Sequence, residues 1–208
     1  DGKPCTRELA GEWIFSQALF DSSPDNAQQY VDDILLDGGA WMMQSLVPPV
    51  SPALVKRILA ARQQVGAFLG WCLDEVLRDD PKVVGFTSIF QQHVASLALA
   101  RRIKAVRPDV FIVFGGANCE GVMGAETLRQ FPFVDAVVSG EGEAVFPELV
   151  QRMLAGTSSG RLQGVRTREG IAADFEQGTF DTAAPVRGMD DLPVPDFSDY
   201  FTQFETSK

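Results

Sequence analysis

Three short apolar runs near the middle of the chain constrain its fold more than any other feature. They are Val83-Val84-Gly85-Phe86-Thr87-Ser88-Ile89-Phe90, Phe111-Ile112-Val113-Phe114-Gly115-Gly116-Ala117-Asn118 and Asp135-Ala136-Val137-Val138-Ser139-Gly140-Glu141-Gly142-Glu143. Each ends in small or polar residues just before a helix-like stretch. Strands repeated in this way point in one direction in a parallel sheet, and each delivers its loop to the same edge. In open α/β sheets, ligands sit outside that edge. Three such loops suit a large, flat or extended ligand.

Helices are expected around these runs. Trp13, Ile14, Phe15, Leu19 and Phe20 form a dense apolar cluster. Ser23-Pro24 predicts a helix start, Tyr30, Ile34 and Leu35 share one face of that helix, and Asp37-Gly38-Gly39 ends it. Ser51-Pro52 opens a longer helix that runs to Arg78 and stops before Asp79-Asp80-Pro81. About 27 residues at about 1.5 Å each reach about 40 Å, enough to cross a sheet. After the first strand, Leu99, Ile103 and Val106 are expected to face inward, and Arg101, Arg102, Lys104 and Arg107 to face water. Gly121 to Phe131 reads as a shorter helix. Phe146, Leu149, Val150, Met153 and Leu154 form an apolar stripe, with Pro147 tolerable only in a first turn. Beyond Gly156, Thr157-Ser158-Ser159-Gly160 reads as a linker and Gly164 to Asp174 as a small hairpin turning at Glu169-Gly170. Residues 175–208 read as irregular, with Asp190 to Phe197 a proline-stiffened connector. The expected division is a helical part (1–80), a parallel α/β core (81–156), and a hairpin and linker (157–208).

Charge and cysteine usage narrow the partners. A net charge of −10 argues against nucleic acid or an anionic membrane surface. The long helix carries Lys56, Arg57, Arg62, Asp74, Glu75 and Arg78, which excludes a membrane span. Asp1-Gly2-Lys3-Pro4 has no signal-peptide character. The cysteines are Cys5, Cys72 and Cys119, an odd and scattered set that suits a reducing cytoplasm. They offer no CxxC or CxxxCxxC spacing, so no zinc or iron–sulfur motif is present.

The loop chemistry disfavours phosphate. A nucleotide site needs free N–H groups at a helix start, and no GxxxxGK[ST] or GxGxxG occurs. Gly140-Glu141-Gly142-Glu143 instead places carboxylates there, which suit the helix dipole but repel phosphate. Thr87, Ser88, Gln91, Gln92, Asn118, Glu141 and Glu143 offer acceptors. Gly115, Gly116, Gly140 and Gly142 allow close backbone approach, and Ile89 and Phe90 add apolar surface. Corrin amides over an apolar patch, with a nucleotide tail between strand and helix, match this set. Each feature also has a plainer reading: a tight turn at Gly115-Gly116, helix-start acids at Glu141 and Glu143, a cap at Thr87-Ser88, and core positions for Ile89 and Phe90. Cys119 reads as a small buried residue. His93 reads as a hydrogen-bonding residue at a helix start rather than a metal ligand, because no DxHxxG surrounds it.

The three loops resemble the cobalamin-binding domain of cobalamin-dependent radical SAM enzymes. The stretches Gly11-Glu12-Trp13-Ile14-Phe15-Ser16-Gln17-Ala18-Leu19-Phe20, Phe114 to Gly121, Ser139 to Glu143 and Leu192-Pro193-Val194-Pro195-Asp196-Phe197 are similar to radical SAM proteins that mature ribosomally made (RiPP) peptides. The resemblance covers most of residues 8–201. It implies an α/β, Rossmann-like (flavodoxin-like) parallel sheet with flanking helices that lacks the first strand–helix portion. It implies cobalamin contact from Thr87, Ser88, Ile89, Phe90, Gln91, Gly115, Gly116, Asn118, Gly140, Glu141, Gly142 and Glu143. It further implies a parent methyltransferase holding a 4Fe–4S cluster and S-adenosylmethionine elsewhere, a precursor peptide as substrate, and a radical SAM domain as neighbour. This chain itself has no catalytic residue assigned, and an incomplete sheet is expected either to self-associate or to be covered by close packing of the long 52–78 helix over the gap. The rival readings are a docking module of the same fold without cobalamin and a flavodoxin-like FMN domain.

Overall fold

A computed structural model describes residues 8–20, 25–36, 50–157 and 161–207. Ser23-Pro24, Asp37-Gly38-Gly39, Cys5 and most of the expected 157–160 linker lie outside these residues.

Four strands form one sheet in the order β1-β2-β3-β4: β1 Val83–Thr87, β2 Phe111–Gly115, β3 Ala136–Val138 and β4 Val165–Thr167. The first three are parallel, as the repeated strand–helix pattern requires, and β4 pairs antiparallel with β3. The expected hairpin therefore does not form. Val165–Thr167 completes the sheet instead, and the second arm is helix α7, Ile171–Gln177. Two causes combine. The outer side of β3 is free to pair, and Ala-Ala-Asp-Phe-Glu favours a helix once Gly170 turns the chain at φ +92.

On one face of the sheet lie α1 (Ala10–Leu19), α3 (Pro52–Arg78), α4 (His93–Val106) and α5 (Gly121–Gln130). Their core gathers Leu69, Leu97, Ile103, Leu128 and Leu19 over Ile112, Phe114 and Val137. Ser51 caps α3 by accepting the Leu54 N–H at 3.3 Å, and Pro52 follows in the first turn, as expected. α2 (Ala27–Tyr30) runs into a π-helical turn over Val31–Leu36. There Tyr30 and Leu35 pack with Trp13, Val55 and Ile58 in a second small core, with the Trp13 and Tyr30 rings stacked 4.2 Å apart.

α4 faces the sheet through Leu97, Ala98, Ala100 and Ile103. Val106 does not join them; it lies in the last turn, exposed. Arg101 and Lys104 do not simply face water either. Arg101 donates to the carbonyls of Ala18 and Leu19, closing the end of α1. Lys104 pairs with Asp135 at 2.7 Å, and that carboxylate also accepts the Ile112 N–H, tying β2 to the entry of β3.

The opposite face carries less. Among the described residues only one helix, α6 (Val145–Leu154), covers it, through Leu149 over Val113, Ala136 and Val138. Pro147 sits in the first turn of α6, where its missing N–H costs no helix bond. The terminal segment is not wholly irregular: α8 spans Ser198–Thr206 and leaves Tyr200, Phe201 and Phe204 exposed. No helix among the described residues is long and apolar enough to cross a membrane.

Candidate functional site

The first and second loops are locked together by backbone. Ser88 N–H donates to the Gly115 carbonyl at 2.7 Å, and Asn118 N–H donates to the Ser88 carbonyl at 3.1 Å. The Asn118 side-chain amide donates to Ser88 Oγ and to the Ile89 carbonyl at 2.7 Å. Gly116 makes this approach possible. It has φ +88, and a Cβ there would lie 2.6 Å from the Ser88 carbonyl oxygen.

Glu120 joins the second loop to the third, a role nothing in the loop spacing suggested. Its carboxylate accepts from Ser139 Oγ at 3.3 Å and from Gly140 N–H at 3.2 Å. Buried Ser139 in turn accepts the Gly121 N–H at 2.8 Å. Behind this loop runs the chain after α7. Ala183 N–H donates to the Ser139 carbonyl at 2.8 Å, and Val186 N–H donates to Glu141. A Cβ on Gly140 would lie 2.8 Å from the Ala183 nitrogen.

The glycines of the three loops thus fall into two kinds. Gly116 and Gly140 let protein backbone approach protein backbone. Gly115 and Gly142 are less crowded: a Cβ on either would make only ordinary van der Waals contact, with Val138 at 3.7 Å and with Phe146 and Val138 at 3.9 Å. Gly85 belongs with these. It lies mid-strand in β1, exposed, and its nearest neighbour would be the Phe146 ring at 3.5 Å. Gly85, Gly115 and Val138 share the sheet face that α6 covers, and Phe146 reaches from Gly142 towards Gly85. These glycines leave a strip of the sheet face without side chains of its own beside Phe146, termed the trench. Thr87 is exposed at its rim. Ile89 and Phe90 stand clear of the core, 47% and 62% exposed. Glu143 is exposed, while Gln91 and Asn118 are half-buried. Sequence reading missed Gly85, although a glycine inside an apolar strand is itself a signal of close approach.

Beneath the rim, one hydrogen-bond chain fixes the tautomer of His93. Thr127 Oγ1 donates its proton to the Met123 carbonyl at 3.0 Å, so it accepts from His93 Nε2 at 3.2 Å. Nδ1 is then an acceptor and takes the Ser88 Oγ proton at 2.9 Å, while Ser88 Oγ accepts from Asn118 at 3.1 Å. Burial holds the His93 pKa below its ordinary 6.5, against the pull of the nearby Glu12 carboxylate. Both ring nitrogens therefore serve the fold. Cys119 is fully buried and its thiol is pushed up to about 12 by desolvation, which leaves it unreactive. Among the described residues, no three histidine, cysteine or acidic side chains gather to hold a metal ion.

Three parallel strands that present joined loops at one edge define a Rossmann-like α/β domain. Residues 71–150 match the family model of the B12 binding domain. The chain is 26% identical over 161 residues to an uncharacterised methyltransferase of Pyrococcus horikoshii, covering 72% of this chain and 33% of that protein. It is 30% identical over 95 residues to the 2-(S-pantetheinyl)-carbapenam-3-carboxylate methyltransferase of Streptantibioticus cattleyicolor, covering 45% and 14%. It is 36% identical over 70 residues to an anaerobic magnesium-protoporphyrin IX monomethyl ester cyclase of Rubrivivax gelatinosus, covering 34% and 12%. The chain thus spans a third or less of each of these proteins. The strip of glycine backbone lies beside the exposed apolar Ile89 and Phe90 and the exposed Thr87 and Glu143, a donor set compatible with a corrinoid.

Proposed function

We propose that this chain is the cobalamin-binding part of a radical SAM enzyme that C-methylates a ribosomally synthesised precursor peptide. The trench over Gly85, Gly115 and Gly142, inside the stretch that matches the B12 binding domain, carries the cofactor reading. In it, these three glycines give backbone contact. Ile89 and Phe90 form the apolar part of the rim with the Thr87 hydroxyl beside them, and Glu143 faces the polar edge of the ligand; Gln91 and Asn118 support the rim through their bonds to Gly11, Ser88 and Ile89. Ser88, Gly116, Gly140 and Glu141 act one layer behind, fixing the loops that make contact. When bound, methylcobalamin supplies a methyl group on cobalt; this chain holds it, orients one face and shields that face from water.

Methyl transfer is supported by the two relatives named as methyltransferases. The peptide substrate, and a parent with its own radical SAM domain, 4Fe–4S cluster and S-adenosylmethionine, rest on the resemblance of the Gly11–Phe20, Phe114–Gly121, Ser139–Glu143 and Leu192–Phe197 stretches; a cytoplasmic setting rests on the scattered cysteines. His93 is given no role as a cobalt ligand, since Ser88 and Thr127 already engage its ring.

Titrating the chain with hydroxocobalamin and, separately, with FMN tests the cofactor reading. Saturable one-to-one corrinoid binding is expected, with no saturable FMN binding. FMN binding alone would replace this reading by a flavodoxin-like one. Binding of neither would leave a docking module of the same fold.

A further inference from the structure

We propose that Gly11 and Glu12 of α1 are positioning residues for the cofactor loop Thr87–Gln92; this rests on the cobalamin reading above. The loop has an awkward backbone. Gln91 has φ +60, a left-handed conformation unusual for a residue other than glycine, and it must turn the chain from β1 into α4. α4 has no side-chain cap of its own at Gln92. The first turn of another helix supplies one. Glu12 Oε1 accepts the His93 N–H at 3.0 Å and Oε2 accepts the Val94 N–H at 2.7 Å. A carboxylate on those free N–H groups satisfies them and suits the positive end of the α4 dipole.

Gly11 completes the grip. Its N–H donates to Gln91 Oε1 at 2.8 Å. A Cβ on Gly11 would lie 2.9 Å from that oxygen and 3.3 Å from the Gln91 carbonyl oxygen. Position 11 is helical with no positive φ, so the backbone itself does not require glycine there. The contact with Gln91 does. One side of the loop is thus held by Gly11-Glu12 and the other by Asn118 and the Gly116 approach. The tips left outside this grip are Thr87, Ile89 and Phe90, the rim of the trench. α1 fixes where that rim stands without itself reaching the ligand.

The proposal separates loop position from stability, and the test reads both. Gly11→Ala, Glu12→Gln and, as a distant control, Ser51→Ala are made in the whole chain. Each is measured for hydroxocobalamin affinity, thermal midpoint and hydrogen exchange at the His93 and Val94 amides. Gly11→Ala gives α1 a better helix former, so its midpoint is expected to hold or rise while Kd rises about tenfold or more. Glu12→Gln keeps one acceptor but turns amide donors on its neighbours, so Kd is expected to rise as much and amide protection to fall. Ser51→Ala removes the α3 cap, lowers the midpoint and leaves Kd unchanged. If the native chain binds but both α1 variants bind as it does, or lose affinity only as their midpoints fall, the positioning role is overturned while the cobalamin reading stands. If the native chain does not bind hydroxocobalamin, the cobalamin reading fails and this role with it. Should Gly11→Ala not fold, Glu12→Gln and the exchange rates decide.

Discussion

At the scale of single residues, the two kinds of glycine make opposite predictions. A side chain at Gly116 needs both a left-handed backbone and space held by the Ser88 carbonyl. Gly116→Ala is expected to cost about 2–4 kcal/mol in denaturant unfolding. Any loss of cofactor binding in it would then report a broken loop rather than a lost contact. Gly85→Ala meets only ordinary contact with Phe146. It should change stability by less than about 1 kcal/mol, yet weaken corrinoid binding because its methyl group stands in the trench. Equal binding by Gly85→Ala and the native chain would move the ligand elsewhere. His93 gives a second prediction. Its folded pKa is depressed, so as pH falls the unfolded chain takes the proton first. The stability that His93 contributes is full above the unfolded value near 6.5 and is lost as pH falls towards the folded value. Thermal midpoints measured from about pH 7.5 to about pH 5 should fall more steeply in the native chain than in His93→Gln; equal slopes would mean that the Ser88–His93–Thr127 chain accepts the proton without strain. Glycines in loops after strands are legible from sequence as turns. Which of them is pressed against the backbone of Ser88 or Ala183 and which is less crowded is not, because their neighbours lie far away in the chain.

At the scale of elements, the strands β1 to β3 and the helices α3 and α6 form where their sequence patterns place them, because local order is enough to find them. The expected α6 stripe is buried only at Leu149, with Phe146 and Leu154 exposed, since α6 alone covers that sheet face among the described residues. β4 and α7 fail the rule of local order because long-range contacts decide them. Arg166 on β4 is 3% exposed and holds three segments together. It donates to the Asp181 carbonyl at 2.8 Å, pairs with the Asp181 carboxylate at 3.0 Å, and lies 3.5 Å from Asp174 on α7. The chain it holds is the one that packs behind Gly140 and bonds Glu141. Arg166→Ala would free both carboxylates, which are close enough to water to hydrate, and open a buried space. A stability loss of about 2–3 kcal/mol is expected. Limited trypsin digestion should cut after Arg187 earlier than after residues of α4. Unchanged cleavage at Arg187 would show that this strap is held by its backbone contacts alone.

At the scale of the whole molecule, the parallel sheet and the shared edge to which its loops run were legible because three strand–helix units repeat in register. The strand order was not, since a sequence does not say which side of β1 will be paired. Among the described residues β1 pairs only with β2, and no strand lies on its other side. α1 and α3 pack on α4 and on each other. An unpaired edge of five residues offers backbone N–H and C=O groups to another chain. A net charge of −10 opposes close approach of two copies, and salt screens that repulsion. Self-association is therefore expected to strengthen between about 0.05 M and about 0.5 M salt in sedimentation velocity. The exposed aromatic face of α8 is a rival contact, so the measurement is repeated on a chain ending at Phe197. Persistence of the salt-dependent dimer without α8 would place the contact at β1 or its surroundings; its disappearance would assign it to Tyr200, Phe201 and Phe204. A chain that stays monomeric at every concentration and salt would show that the β1 edge, though unpaired, is too short and too strongly repelled to recruit a second copy.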